Sequence, residues 1–227
     1  MNNTIQYTVD KDGIAVLTID LPGKSMNVLC DDMISDLSAC IEKVATDEAV
    51  KGAVIVSAKS AFVAGADLTE LVTAYDRGVT AQQGYEWSKG LTNVLRRMET
   101  CGKPFAVTIN GLALGGGLEL CLACHYRVMT DDPKAELGLP EVSIGLLPGA
   151  GGTQRLPRLV GIEKALPVIL QGKKLKPQAA LELGVVHEVA PAGELLKRAR
   201  AWLLTSPNPV APWDVKGFKV PGGNRVG

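Results

Sequence analysis

Three adjacent glycines at a predicted strand-to-helix junction constrain this chain more than any other feature. They lie within Asn110-Gly111-Leu112-Ala113-Leu114-Gly115-Gly116-Gly117-Leu118-Glu119-Leu120, after an apolar run, Pro104 to Ile109, that predicts a buried strand. The residues from Leu118 to Cys124 have helical character. Without β-carbons, main-chain N–H groups at the bend can approach a bound electronegative atom closely. Glu119 falls among apolar side chains, where a carboxyl group without partners resists ionisation. The pKa of a general acid or base is tuned in this way.

The rest of the chain alternates short predicted strands with predicted helices. Strands are expected at Ile5 to Val9, Ile14 to Ile19, Gly52 to Ser57, Tyr126 to Met129 and Val185 to Val189. Helices are expected around 31–44, 68–75, 91–101, 153–160, 162–171, 177–183 and 193–204. Residues 76–90 have the weakest periodicity, so we expect a mobile surface segment there. This alternation indicates an α/β fold.

The composition is that of an ordinary globular protein. A chain of 227 residues, 46% of them hydrophobic, can bury a sizeable core. Its 24 basic and 24 acidic side chains give a formal charge of zero, so we expect no nucleic-acid partner. The start, Met1-Asn2-Asn3-Thr4, shows no secretory signal, and no uncharged apolar run approaches the ~20 residues of a membrane span. These features predict a cytoplasmic protein.

The five cysteines predict neither disulfides nor a metal site. They are scattered through apolar segments, as small core residues are. Cys121-Leu122-Ala123-Cys124-His125 matches the haem-attachment spacing, but it lies in a buried-looking helix of a chain without a visible export signal. The only other histidine is His187, and there is no second cysteine pair for zinc. We therefore expect no metal and no cofactor.

Two carboxylates are the remaining candidates for chemistry. Glu119 would sit in a first helical turn, where acidic residues are common for electrostatic reasons alone. Glu141 follows Pro140 in a predicted loop, where a carboxylate is commonly just solvated. The residues by themselves therefore leave joint acid–base catalysis and a purely structural role both open.

Three motifs together resemble the enoyl-CoA hydratase/isomerase, or crotonase, family. They are Ala64-Gly65-Ala66-Asp67-Leu68, the stretch from Asn110 to Leu120, and Pro140-Glu141 followed by Leu147-Pro148-Gly149-Ala150-Gly151-Gly152-Thr153-Gln154-Arg155-Leu156-Pro157. Their order and spacing are similar to those of the family over about residues 5–205. The segments 205–209 and 213–217 look more like the N-terminal part of multifunctional fatty-acid oxidation proteins, in which a hydroxyacyl-CoA dehydrogenase region follows the hydratase.

The resemblance implies a crotonase-like spiral of repeated β-β-α units and an acyl-CoA thioester as substrate, with coenzyme A part of that substrate. It implies that the backbone N–H groups of Ala66 and Gly116 hold the thioester oxygen. Glu119 and Glu141 match the family's catalytic glutamates. We assign Glu119 to the water that attacks C3 and Glu141 to proton delivery at C2, although the reverse division stays open.

The resemblance also implies a wider set of substrate-binding residues. Gly149 falls where the family's backbone helps to place the water, and residues 26–28 lie in the loop that borders the adenosine end of coenzyme A. The full set expected to bind substrate is Met26, Asn27, Val28, Ala64, Asp67, Leu68 and Gly149.

The implied activity is hydration of trans-2-enoyl-CoA to 3-hydroxyacyl-CoA in fatty-acid β-oxidation. The alternatives are a Δ3-Δ2-enoyl-CoA isomerase or another crotonase reaction, and an inactive fragment or non-catalytic binding module. We expect a hydratase domain over residues 1–205 and a proline- and glycine-rich linker over 206–227. Family members normally continue past 205 with helices that close the acyl pocket. The implied assembly is a homotrimer or a part of a larger fatty-acid oxidation polypeptide.

Overall fold

A six-stranded sheet forms the centre of the structure, a computed structural model that describes residues 3–223. Its strands, together with the short pair β5 and β7, are β1 (Ile5–Val9), β2 (Ile14–Ile19), β3 (Gly52–Ser57), β4 (Phe105–Ile109), β5 (Ala113–Leu114), β6 (Tyr126–Thr130), β7 (Leu137–Gly138) and β8 (Glu188–Ala190). The spatial order is β1-β2-β3-β4-β6-β8. Among the described strands of this sheet, β1 and β2 form an antiparallel hairpin and the other neighbouring strands pair in parallel.

Eight α-helices connect or cover the described strands. They are α1 (Asp31–Thr46), α2 (Leu68–Asp76), α3 (Ala81–Thr100), α4 (Gly116–Ala123), α5 (Gly152–Val160), α6 (Ile162–Leu170), α7 (Pro177–Leu183) and α8 (Leu195–Leu204). The predicted alternation of strands and helices is therefore confirmed. Within the described residues, no helix is both long and apolar enough to cross a membrane.

The sheet is buried on both faces, as parallel sheets generally are. In β2, Ala15, Leu17 and Ile19 point into the main core, whereas Ile14 faces a smaller core. The smaller core is closed by α8 through Leu195, Ala199 and Leu203. The main core includes buried residues of α1, α3 and α4. The glycine turns lie on this side of the sheet and are therefore supported by well-packed structure.

Residues 76–90 lie mostly at the surface, as expected, but the last ten of them are helical, and their mobility stays a prediction. Residues 81–90 form the first half of the 20-residue helix α3. Thr80 caps this helix, because its hydroxyl accepts from the Gln83 N–H at 3.3 Å while the Gln83 side chain accepts from the Thr80 N–H at 2.9 Å. This reciprocal pair is a capping box, which marks a helix start even where apolar periodicity is weak.

The last described segment lies against the body of the protein. A 3-10 turn, Pro212–Asp214, places the Asp214 carboxylate against the Arg96 guanidinium, with two N–H donations at 2.7 and 2.8 Å. A β-carbon at Gly161 would lie 2.6 Å from the Pro221 carbonyl oxygen, so the chain returns closely to the start of α6. The domain boundary at residue 205 stays a prediction, and residues 224–227 lie outside the described range.

Candidate active site

Two glycine turns meet backbone to backbone at one end of the sheet. A β-carbon on Gly117 would lie 2.2 Å from the Val63 carbonyl oxygen, and one on Gly115 would lie 3.7 Å from Gly65 Cα. Gly115 has φ 53° and ψ −127°, a conformation that side chains strongly disfavour. The Leu114 N–H donates to the Val63 carbonyl at 3.1 Å and joins the turns. The glycine cluster is therefore required by close packing as well as by the bend.

Each turn contributes one of the two residues whose main-chain N–H group is expected to hold an oxygen, Ala66 in one turn and Gly116 in the other. Gly116 is the first residue of α4, where an N–H has no acceptor within its own helix. In the other turn, the Leu29 N–H donates to the Gly65 carbonyl and the Asp67 N–H donates to the Leu29 carbonyl. Because successive N–H groups of extended chain alternate in direction, the Ala66 N–H points away from Leu29. The two N–H groups expected to hold an oxygen thus belong to adjacent turns.

Glu119 is held on the inner side of the glycine turn by a third loop. It is 2% exposed, and its Oε1 accepts from the N–H groups of Ala150 at 2.8 Å and Gly152 at 2.7 Å. Burial raises the pKa of Glu119 to about 7, although the two N–H donors and Arg155 act in the opposite direction. A carboxyl group with this pKa can exchange a proton readily near neutral pH.

Glu141 approaches the same turn from a different segment. It lies in the 3-10 turn Pro140–Ile144, and a β-carbon on Gly115 would be 2.9 Å from its Oε1. Its Oε2 is buried and has no hydrogen-bond partner among the described residues. Burial raises the pKa of this carboxyl group as well. A β-carbon on the neighbouring Gly116 would be 3.9 Å from Glu119 Oε2, so both carboxyl groups reach one short stretch of backbone.

A cavity of about 510 Å³ contains both glutamates and most of the other predicted site residues. The predicted residues along its wall are Ala64, Ala66, Leu68, Gly116, Glu119, Glu141 and Gly149. Leu71, Trp87 and Leu91 from α2 and α3 supply apolar wall. A separate, more polar depression of about 440 Å³ lies between α2 and α3 and shares Ala74, Val79 and Trp87 with it. Glu119 and Glu141 line the apolar cavity and are not part of the polar depression.

Four predicted binding residues lie outside the cavity wall. Asn27 is fully buried, and its side chain forms hydrogen bonds with Leu21, Ile19, Ser57 and Phe62. These contacts fix the loop of residues 26–28 in place. Asp67 caps α2 and pairs with Lys24 at 3.0 Å. Val28 packs against the core, and Met26 is 42% exposed at the surface. Contact of these residues with coenzyme A stays a prediction.

Sequence reasoning did not identify the partners of Glu119. Ala150 and Gly152 supply its N–H donors, and Arg155 donates to the Ala150 carbonyl at 2.8 Å. All three residues lie in the third motif, but their use depends on a contact across more than 30 positions of sequence. A glycine pair before a helix was the available signal, because N–H groups at a helix start commonly bind carboxylates.

Comparison with known proteins identifies the family of this site. The sequence profile described as enoyl-CoA hydratase/isomerase matches residues 10–208. The chain belongs to the enoyl-CoA hydratase/isomerase family. This family member is also 45% identical, over 92% of its length, to the fatty acid oxidation complex subunit alpha of Shewanella baltica. The corresponding protein of Shewanella oneidensis is 46% identical over 84% of the chain. The chain spans about 30% of the length of the first of these relatives and 27% of the second.

Solved structures confirm the crotonase-like fold of this family member. The enoyl-CoA hydratase of Bacillus anthracis superposes with a TM-score of 0.81 at 29% identity, over 91% of this chain and 78% of that one. DspI of Pseudomonas aeruginosa gives a TM-score of 0.81 at 29% identity, over 91% and 82%. The protein is therefore a crotonase-type enzyme whose two glutamates and glycine turns lie in one cavity.

Proposed function

We propose that this protein adds water to the double bond of trans-2-enoyl-CoA thioesters and forms 3-hydroxyacyl-CoA. The observation that carries the proposal is the approach of Glu119 and Glu141 to the same glycine turn inside one cavity. A single carboxylate suffices to shuttle a proton between carbons, whereas adding water involves removal of a proton from the water at C3 and delivery of a proton at C2, which two carboxyl groups can carry out together. Two carboxyl groups at one backbone turn supply both.

The glycine turns would stabilise the charge that the reaction develops. When the oxygen of water bonds to C3, the electron pair of the double bond moves towards the thioester carbonyl, whose oxygen becomes enolate-like. The N–H groups of Ala66 and Gly116 are the donors proposed for that oxygen. Preorganised donors of this kind commonly contribute several kcal/mol, about 3 for one donor.

The surroundings of the two glutamates favour different roles. Two N–H donors on Oε1 stabilise the ionised form of Glu119, so this residue takes the proton of the attacking water. Glu141 has an unpartnered buried oxygen and no such pair of donors, so its protonated form delivers a proton to C2. Water thereby gives its hydroxyl to C3, while one proton leaves with Glu119 and an equivalent proton arrives from Glu141. The pair exchanges protons to restart the cycle.

The relatives suggest where this reaction would take place. The Shewanella proteins are named as subunits of a fatty acid oxidation complex, and the chain matches about 30% of the length of the S. baltica protein. We therefore place the proposed hydration in fatty-acid oxidation, as one activity of a larger polypeptide. Assembly of this domain as a homo-oligomer, with a trimer expected, is part of the same proposal.

Isomerisation is the second candidate, and the free oxygen of Glu141 favours it. A carboxylate beside C2 of a 3-enoyl-CoA can remove a proton there and return it to C4, which moves the double bond into conjugation. That reaction needs Glu141 and the N–H donors but no attacking water. It therefore depends less on Glu119 than hydration does.

The decisive experiment follows the loss of conjugated-thioester absorbance from crotonyl-CoA. We expect hydration by the natural protein, and a fall on the order of 10²- to 10⁴-fold in kcat for Glu119→Gln and for Glu141→Gln. Glu48→Gln changes an exposed carboxylate outside the cavity and should leave the rate unchanged. Unchanged rates in both cavity variants would reject the hydratase. A Glu119→Gln protein that still converts 3-enoyl-CoA would favour the isomerase.

A further inference from the structure

A buried ion pair lies directly behind the loop that holds Glu119. Arg155 on α5 is 6% exposed and Glu99 on α3 is 2% exposed. Arg155 Nε donates to Glu99 Oε1 at 2.7 Å, and Nη2 donates to Oε2 at 2.8 Å. This two-point contact uses the planar fork of a guanidinium, which lysine lacks. Arg96 adds a longer contact to Glu99 at 3.3 Å.

The third nitrogen of Arg155 reaches the loop itself. Nη1 donates to the Ala150 carbonyl at 2.8 Å, while the Ala150 N–H donates to Glu119 Oε1 at the same distance. Gly151 has φ 100°, and a β-carbon there would lie 2.3 Å from Nη1, so the loop rests on the guanidinium with no side chain between them. Glu99, Arg155, Ala150 and Glu119 thus form one continuous hydrogen-bonded series.

Stability alone is a weak reason for an ion pair at this place. Taking two charges out of water is costly, and well-packed apolar residues often stabilise a core as well as a buried pair does. Arg155 also donates to the Ala150 carbonyl, and this hydrogen bond is not needed to form the ion pair with Glu99. Arg155 is not part of the cavity wall, so any effect on the reaction must pass through residues 150–152.

We propose that Arg155 is a positioning residue for the reaction. Through the Ala150 carbonyl it fixes the loop of residues 150–152, so that two main-chain N–H groups hold the Glu119 carboxylate towards the cavity. Glu99 in turn fixes Arg155. The inference rests on the proposed function, because it relies on Glu119 as the group that handles water.

The pKa of Glu119 would report a loosened loop, because it depends on the charges and N–H donors around the carboxyl group. Burial and, to a smaller extent, Glu141 from the 3-10 turn raise the pKa of Glu119, whereas the N–H groups of Gly152 and Ala150 and then Arg155, from α5, lower it. Glu99 lies behind Arg155 and neutralises it. Arg155→Lys keeps a positive charge but loses the fork. A rise in the pKa of Glu119 in that variant would therefore report lost N–H donation.

The test combines a carboxyl titration with kinetics. We would follow the Glu119 side-chain carboxyl by ¹³C NMR against pH, and measure kcat and KM for crotonyl-CoA, in Arg155→Lys and in Arg158→Lys. Arg158 lies on the same helix, but its guanidinium donates to Gln154 and not to the loop. We expect a higher titration midpoint and a fall in kcat of up to about 10²-fold in Arg155→Lys, with KM little changed. Arg158→Lys should match the natural protein.

A double variant, Glu99→Met with Arg155→Met, guards against misfolding, because it leaves no buried charge unpaired. It should fold and show the same rise in midpoint and loss of kcat. A folded variant with a lower melting temperature but the natural titration and kcat would overturn the proposal. If the natural protein hydrated nothing, the proposed function would fail, while the Glu119 titration would still decide whether Arg155 holds the loop.

Discussion

A β-carbon on Gly117 would lie 2.2 Å from the carbonyl oxygen of Val63, so these residues bring two turns of the candidate active site into direct backbone contact. Both partners are held by regular structure, because Gly117 belongs to α4 and Val63 accepts from the Leu114 N–H. The separation of the Ala66 and Gly116 N–H groups depends on this contact. Any side chain at position 117 must move one turn away from the other.

Gly117→Ala should therefore destabilise the protein and impair its activity. Overpacking of this kind typically costs about 1–3 kcal/mol of unfolding free energy. Gly90→Ala is the matched control, because Gly90 lies within α3 and no atom would meet its β-carbon within 4 Å. That change should raise stability by roughly 0.5–1 kcal/mol through helix propensity. Thermal and urea unfolding measure both effects, and equal behaviour of the two variants would contradict the packing argument.

Glu119 should make stability depend on pH. A glutamate whose pKa rises from 4.5 to about 7 on folding binds its proton more tightly in the folded state. Its contribution is most favourable below pH 4.5 and is lost as pH rises through about 7. Above pH 7 the folded protein therefore holds an ionised Glu119 at a cost in free energy, which Glu119→Gln removes. The variant should then be more stable than the natural protein by on the order of 3 kcal/mol.

Urea unfolding of the natural protein and of Glu119→Gln at several pH values measures this difference. The difference should grow from pH 4.5 to 7 and then level off. Glu48→Gln, an exposed change, should show no such trend. A Glu119→Gln difference that is independent of pH would mean that the carboxyl group titrates normally.

Asn27 should prove important for stability. Its amide oxygen accepts from the Leu21 N–H at 2.9 Å, and its amide nitrogen donates to the carbonyls of Ile19 and Phe62 at 3.2 Å. Asn27→Ala removes the partner of the Leu21 N–H and of the Phe62 carbonyl, at a cost of roughly 1–3 kcal/mol for each one that water cannot reach, whereas the Ile19 carbonyl still accepts from the Ala58 N–H at 3.0 Å. Met26→Ala, one residue earlier and exposed, should leave the melting temperature nearly unchanged.

Kinetics of the same pair test the predicted contact with coenzyme A. A rise in KM for crotonyl-CoA in Met26→Ala, with kcat unchanged, would support contact by this loop. A stable Asn27→Ala protein with a raised KM would instead assign Asn27 a direct binding role and contradict the structural one.

The start of α3 offers a separate test of the fold. Thr80→Ala removes the capping hydroxyl and should lower the free energy of unfolding by about 1 kcal/mol. Thr80→Ser keeps the hydroxyl and should restore most of it. Hydrogen exchange of the amides at 83 and 84 measures the local effect, because both face the Thr80 cap. Unaltered exchange in Thr80→Ala would show that packing alone fixes this end of the helix.

Local patterns were sufficient to predict most of the fold. The strands Ile5–Val9, Ile14–Ile19 and Gly52–Ser57 were predicted at their observed bounds, because alternation or a continuous apolar run identifies them. The first half of α3 was missed because polar residues and Gly84 and Gly90 weaken its periodicity, although Thr80 and Gln83 carried the capping signal.

The site was predictable only in part. The glycine turns and the two glutamates could be recognised as motifs, and the structure brings them into one cavity. The partners of Glu119 and the pairing of Arg155 with Glu99, 56 positions apart, could not be recognised, because nothing local in sequence encodes them. The same holds for Asn27, whose partners extend from Ile19 to Phe62. Contacts of this kind depend on tertiary packing.

The most direct test of the proposed function is the fate of labelled water. Crotonyl-CoA incubated with the protein in ¹⁸O-labelled water should give 3-hydroxybutyryl-CoA with the label in its C3 hydroxyl, and in deuterated water one deuterium should appear at C2. Mass spectrometry of the product measures both. A product without the C3 label, or substrate recovered unchanged while a 3-enoyl-CoA is isomerised, would contradict hydration by Glu119 and Glu141.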